Sequence, residues 1–181
     1  SEKEEAKRRA RELEKRTDEL LEESTRVNEE SKRHLKELLD ESRRTAKRVK
    51  EEIDKLLKEK REGDRVEELV KELKKIIDEV LKRNEELIRE AERIDDESNK
   101  RNEELARRDK EIIRELLRLV EEGVDVDTLL ERVDRSSKEV ADRMRKSNEE
   151  VKDVNRRVAK ALKDSNRDVE RVLEDVARKI K

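Results

Sequence analysis

The tetrad Asn84-Glu85-Glu86-Leu87 returns eighteen residues on as Asn102-Glu103-Glu104-Leu105, and Ile76, Ile94 and Ile112 keep the same interval. Eighteen residues make five turns of an α-helix at 3.6 residues per turn. No Gly or Pro interrupts the chain from Asp64 to Glu122. The stretch therefore reads as one long helix. A 7-residue repeat forces a left-handed supercoil and an 11-residue repeat a right-handed one, so an 18-residue repeat predicts a nearly straight helix. Solenoid repeats have a similar period, but each of their units contains a turn.

The interval continues on both sides. Leu20, Leu38 and Leu56 are spaced by it before this stretch, as are Leu21, Leu39 and Leu57. After it, Val140-Ala141 recurs as Val158-Ala159 and Val176-Ala177, and Ser147-Asn148 as Ser165-Asn166. The two glycines of the chain, Gly63 and Gly123, fall between the three segments. Gly just past a helix takes the left-handed conformation that closes the last turn. Asp64, and Asp125 or Asp127, stand where a side chain caps the next helix. Helices are expected over about residues 2–61, 65–122 and 126–180. Similar lengths joined by short turns predict an all-α fold. It is an antiparallel up-down-up three-helix bundle of long, nearly straight helices, with residues 1–181 as a single domain.

The composition tests this reading. The chain has 51 Lys+Arg and 53 Asp+Glu, a formal net charge of −2, and only 30% hydrophobic residues. So few apolar residues admit two rival readings. One is disorder; the other is a solitary charged helix held by pairs four residues apart. Both fail if the apolar residues form a stripe, and they do. Val66, Leu69, Leu73, Ile76, Val80, Leu87, Ala91, Ile94, Leu105, Ile112, Leu116 and Val120 follow in steps that keep them on one helical face. The interleaved charges are not the one-signed field of a nucleic-acid binder, nor the basic, aromatic-faced helix of a membrane-surface protein. No run approaches the ~18 apolar residues of a membrane span. Ser1-Glu2-Lys3-Glu4-Glu5 lacks the apolar core of a signal peptide, so a soluble chain without a targeting signal is expected and its location stays open. Without Cys there is no disulfide, thiolate nucleophile or Cys-based zinc site.

Each stripe carries Ser, Thr, Asn or Asp where an apolar residue belongs. An unpaired buried polar group costs about 1–3 kcal/mol, so these residues should meet. For a hairpin turning near Gly63, facing residue numbers total about 126. Ser42 then faces Asn84, Ser31 faces Asp95, Asn28 faces Ser98, Ser24 faces Asn102 and Thr17 faces Asp109. Across the second turn the total is near 247. That brings Ser136 and Ser137 to Asp109, Ser147 between Ser98 and Asn102, and Ser165 to Asn84. Asn155, beside the seam, is included in the set. The expected arrangement is a stack of polar layers crossing all three helices between layers of Leu, Ile and Val. A helix slipped by one turn would leave donors and acceptors unpaired.

Phe, Trp, Tyr, Cys, Pro and Gln are all absent. At an average usage of about 5%, Pro alone would be missing by chance roughly once in ten thousand chains of this length. With the straight-helix repeat, the two glycine turns and the stacked polar layers, the whole chain resembles de novo designed helical bundles with buried hydrogen-bond networks. The match is to the single-chain three-helix type. This resemblance implies a structural scaffold made recombinantly, monomeric or self-assembling. It would have no natural substrate, no enzyme activity, no cofactor, no metal and no required partner. Spectrin-type repeats are similar in topology alone, and the core Trp they carry is missing here.

Individual residues were weighed for chemistry. His34 is the sole imidazole. With Ser31 three residues before it and Asp95 opposite, a hydrolytic triad is conceivable. Acyl transfer also needs free N–H donors for an oxyanion, which a continuous helix does not offer. A solvated His34, or one bonded to Asp95 or Asn155, is preferred, because its neighbours eighteen residues away are the charged Arg16 and Glu52. Glu30 lies four residues from His34, but no second His completes a metal site. Asp109 reads either as a functional acid or, preferably, as acceptor for Thr17, Ser136 or Ser137. The Asn-Glu-Glu strings at 28, 84, 102 and 148 read as repeat-derived surface plus one seam residue. The lack of aromatics to stack bases argues against a single-strand nucleic-acid site, and no nucleic-acid partner is expected.

A second reading is an interaction module: a receptor for a fourth helix, a heterodimer component or a self-associating subunit. Doubled apolar positions such as Ile76-Ile77, Val80-Leu81, Ile112-Ile113 and Leu116-Leu117 favour it. Asn99, Asn148, Asn155 and Asn166, beside the seam, would then serve a partner's hydrogen bonds.

Overall fold

A computed structural model describes residues 1–60 and 63–180, with Lys60, Asp64 and Ile180 described by backbone alone. It contains three helices, α1 (Glu2–Lys60), α2 (Asp64–Glu121) and α3 (Val126–Ile180). They pack against one another as an all-α three-helix bundle.

The helix ends follow from capping chemistry. The Glu4 N–H donates to Ser1 Oγ at 3.3 Å, and acidic Glu2, Glu4 and Glu5 fill the first turn of α1. Negative charge there suits the positive end of the helix dipole. At the start of α2, the Gly63 carbonyl accepts the N–H groups of Val66 and Glu67, which makes Gly63 the cap residue. The helix begins at Asp64 itself, one residue earlier than expected. The expected side-chain cap by Asp64, and the closure of α1 near residue 61, lie outside the described residues. The other turn is explicit. Gly123 has φ 80°. Its N–H reaches the Val120 carbonyl, and the Val124 N–H reaches Leu119. These two bonds form a Schellman motif, which only a left-handed residue permits. Asp125 then precedes α3 and accepts a hydrogen bond from Thr128 Oγ1 at 3.4 Å, with Asp127 in the first turn.

The helices pack as two compact units, each containing a stretch of all three. The first joins Ser1–Ser31 to Ile94–Asp153, and the second joins Lys32–Arg93 to Val154–Lys181. In the first unit, Ala6, Ala10 and Leu13 of α1 pack with Ile113, Leu116 and Val120 of α2 and Val133 of α3. A smaller cluster gathers Leu20, Ala106, Ala141 and Met144. In the second unit, Leu35, Leu38, Ile88, Ala91, Val158 and Leu162 form one cluster. Ala46, Val49, Ile53, Val70, Ile77, Val169 and Val176 form the other. Each fully buried Leu, Ile, Val or Met contributes about 1.5–3 kcal/mol, so these layers supply the driving force.

Charged residues cover the outside. Many pairs are exposed i,i+3 or i,i+4 contacts, each worth at most about 1 kcal/mol. Others join helices, among them Arg9–Asp134 at 2.6 Å and Lys110–Asp18 at 2.8 Å in the first unit and Arg48–Glu170 at 2.7 Å in the second. Burial pushes the Asp134 carboxyl up, but hydrogen bonds from Arg9 and Lys138 outweigh that and hold it below its ordinary value. Glu121, bonded by Lys7 and Lys3, is lowered too.

Two outcomes are expected. Gly123→Ala should lower stability by about 1–2 kcal/mol through backbone strain alone, since a Cβ there meets nothing within 4 Å; denaturant titration measures it. Because the folded chain binds protons at Asp134 and Glu121 more weakly than the unfolded chain does, their stabilisation is full above the unfolded carboxylate value of about 4 and fades as pH falls through the lowered folded values. The melting temperature should therefore fall on acidification, and Asp134→Asn should flatten that slope.

Candidate functional site

The buried polar side chains are the chemically distinctive feature of the interior. Helical spacing puts them on the same stripe as the aliphatic residues, so each is carried inward with its neighbours. In the first unit, Asp109 of α2 is fully buried and takes one hydroxyl on each oxygen. Thr17 Oγ1 donates to Oδ2 at 2.6 Å, and Ser137 Oγ donates to Oδ1 at 2.8 Å. Thr17 is also 3.1 Å from the Leu13 carbonyl. This layer spans all three helices. Ser137 rather than Ser136 closes it; Ser136 is half-buried at the rim.

One layer along, Asn102 Nδ2 donates to Ser24 Oγ at 2.8 Å and to Asn148 Oδ1 at 3.1 Å. Ser24 Oγ also donates to Asn99 Oδ1 at 3.2 Å. Beyond it, Ser31 Oγ bonds Asp95 Oδ2, and Asn28 Nδ2 bonds the Asp95 backbone carbonyl at 2.6 Å. The expected pairing of Asn28 with Ser98 is replaced: Ser98 Oγ meets Ser147 Oγ and carbonyl instead. The reason is rotational. Ser98 is engaged across to α3 by Ser147, and the longer Asn28 side chain reaches the Asp95 carbonyl, three residues along α2. In the second unit, Asn84 Nδ2 donates to Ser42 Oγ at 2.9 Å, and Asn84 Oδ1 accepts from Ser165 Oγ at 3.1 Å. Asn155 is buried on α3 of the same unit.

Two residues expected to serve a partner are used internally. Asn148 is buried and bonds Asn102, and Asn99 accepts from Ser24. The available signal was adjacency: Asn148 follows Ser147, and Asn99 follows Ser98, so both neighbours of a seam position turn inward where side chains are small. Asn102 Oδ1 is buried without a hydrogen-bond partner among the described residues.

Other candidates give little chemistry. His34 is exposed and borders a shallow surface groove with Asn155 and Ala159. Among the described residues, no three His, Asp or Glu converge as metal ligands would. No described helix is long and apolar enough to cross a membrane. No protein-family model, curated protein or solved structure matches the chain.

The Asp109 layer gives a direct energetic test. Asp109→Leu strands the Ser137 hydroxyl and removes one partner of Thr17, and should cost about 1–3 kcal/mol. Replacing the whole layer with Thr17→Val, Asp109→Leu and Ser137→Ala should return stability to within about 1 kcal/mol of the starting chain, or above it. Guanidinium unfolding followed by circular dichroism reads both.

Proposed function

We propose that the chain is a designed structural scaffold, monomeric and without natural catalytic activity, in which aliphatic layers drive burial and polar layers select the register of the helices. The observation that carries this reading is a shared spacing. The α1 members Thr17, Ser24, Ser31 and Ser42 are separated by 7, 7 and 11 residues. Their α2 partners Asp109, Asn102, Asp95 and Asn84 run in the opposite direction with the same 7, 7 and 11.

That spacing penalises the registers the aliphatic pattern would tolerate. A slip of one turn, four residues either way, sets Asp109 against Leu13 or Leu21 and Asn84 against Leu38 or Ala46. The 18-residue repeat poses a subtler problem, because sliding α1 by eighteen sets Leu38 where Leu20 stood and Leu56 where Leu38 stood. It also brings Ser42 to Asn102, a valid pair. Yet the same slide sets Asp109 against Leu35 and Asp95 against Val49. Each stranded group costs about 1–3 kcal/mol. The two aspartates, which have no counterpart at the 18-residue interval within α2, thereby break the degeneracy of the repeat. Such layers need not add net stability over a wholly aliphatic core; their contribution is selection. The six missing residue types support a designed origin.

The experiment is a distance measurement. Nitroxide labels at exposed Lys15 on α1 and Glu111 on α2 should give one narrow distance by pulsed electron resonance. Replacing the polar members of all three layers of the first unit with aliphatics should leave helicity intact but add populations displaced by about 5.4 Å, one helical turn. A distribution as narrow as that of the starting chain would overturn register selection.

A further inference from the structure

Four cations of α3, Arg156, Lys160, Lys163 and Arg167, follow at intervals of 4, 3 and 4 residues and so share one helical face. They line a groove of about 520 Å³ together with His34 of α1, the buried amide side chain of Asn155, Ala159 and Asp164. The groove lies wholly within the second unit. Among the described residues that line it, Asp164 is the lone carboxylate and Ala159 the lone apolar side chain.

This run of one sign departs from the 18-residue repeat. One repeat earlier, the same four positions hold Lys138, Asp142, Arg145 and Glu149, whose signs alternate. Those residues find partners on their own helix: Lys138 meets Asp134 at 3.2 Å, Arg145 meets Asp142 at 3.4 Å and Glu149 meets Lys152 at 3.5 Å. Lys160 and Arg167 stand where Asp142 and Glu149 stood. Lys160, Lys163 and Arg167 make no ion pair among the described residues. Glu170, three residues past Arg167, is taken by Arg48 at 2.7 Å. Like charges three or four residues apart destabilise a helix. The run is therefore a cost that the helix does not recover from its own side chains.

We infer that this groove is a binding site for a free condensed phosphate, a linear chain of three or more phosphoryl groups. Each guanidinium offers paired N–H donors to two oxygens of one phosphoryl group, each ammonium acts as a point charge, and the imidazole adds an N–H donor from α1. All four cations are exposed, and a single exposed ion pair holds little. A ligand must therefore meet several of them at once. A condensed phosphate carries charge on every phosphorus, and the cations span about 17 Å at 1.5 Å per residue. One alanine is all the apolar surface the lining offers, and the chain has no aromatic ring to stack a base. A nucleobase thus gains nothing here. The inference stands apart from register selection, because none of the four cations belongs to a polar layer.

The test is calorimetry on the full chain with sodium tripolyphosphate. At about 10 mM ionic strength, where screening is weak, it should show saturable binding of one anion per chain. Lys160→Gln, Lys163→Gln and Arg167→Gln together should weaken binding about tenfold or more. Arg132→Gln, Arg143→Gln and Lys146→Gln together remove the same charge from the first unit and should change affinity less than about twofold. Circular dichroism checks helicity in each. Should the groove variant unfold, Lys160→Asp with Arg167→Glu, which restores the alternation of the preceding repeat, should abolish binding with helicity kept. Adenosine triphosphate should bind no more tightly than tripolyphosphate. Hexaglutamate, whose carboxylates are spread over a flexible chain, should bind about tenfold more weakly. The inference is overturned if tripolyphosphate gives no saturable heat or if the two triple variants weaken binding equally. It is also overturned if adenosine triphosphate binds about tenfold more tightly than tripolyphosphate, or if hexaglutamate binds as tightly.

Discussion

A polar atom withdrawn from water has to find a partner inside the protein, and this requirement shapes the interior of the bundle. Aliphatic side chains on three helices can interdigitate in several registers at similar free energy, because dispersion and burial are non-directional. Hydroxyl, amide and carboxylate groups cannot. Asp109 is satisfied only where Thr17 and Ser137 arrive at its height. Asn84 is satisfied where Ser42 and Ser165 arrive together. On the function proposed above, each layer converts a smooth packing landscape into one with a preferred alignment, through the cost of leaving buried polar groups unpaired.

The division of labour is visible along α1. In the first unit, aliphatic Ala6, Ala10 and Leu13 give way to Thr17, then Leu20, then Ser24, Asn28 and Ser31. The second unit runs Leu35, Leu38, Ser42, Ala46, Val49 and Ile53. The polar share is larger in the first unit, where Ala106 and Ala141 are also small. Short Ser and Asn side chains there lie within hydrogen-bond reach of one another. The outer charges contribute little to this choice. Their pairs are mostly local to one helix and exposed, so they support helicity and solubility more than tertiary alignment.

Much of the fold was legible in the sequence, for a physical reason. Helix length is set by uninterrupted periodicity, and the ends are set by glycine and capping residues. The 18-residue interval and Gly123 therefore located α2 and α3 to within a residue. Layer height was legible as well, since antiparallel neighbours fix the sum of facing residue numbers. Rotation about the helix axis was not. A numbering rule gives the level of Ser98 but not that it points to Ser147 rather than Asn28, nor that Asn148 turns in beside Ser147. That depends on a few tens of degrees of azimuth and on side-chain length. The same limitation hid which half of two doubled apolar positions is covered: Ile77 and Ile113 are buried while Ile76 and Ile112 are exposed.

The arrangement of the two units bears on how the chain reaches this state. Each unit owns one of the two turns, so each contains a helical hairpin plus a segment of the third helix. Within a hairpin, partners are near in sequence: Asp109 and Ser137 are 28 residues apart, as are Lys50 and Asp78. Arg9 and Asp134 are 125 apart. Closing the longer loop costs about 1 kcal/mol more in chain entropy. Each turn thus joins partners at a small loop-closure cost, and the larger share of that cost falls on bringing α1 to α3.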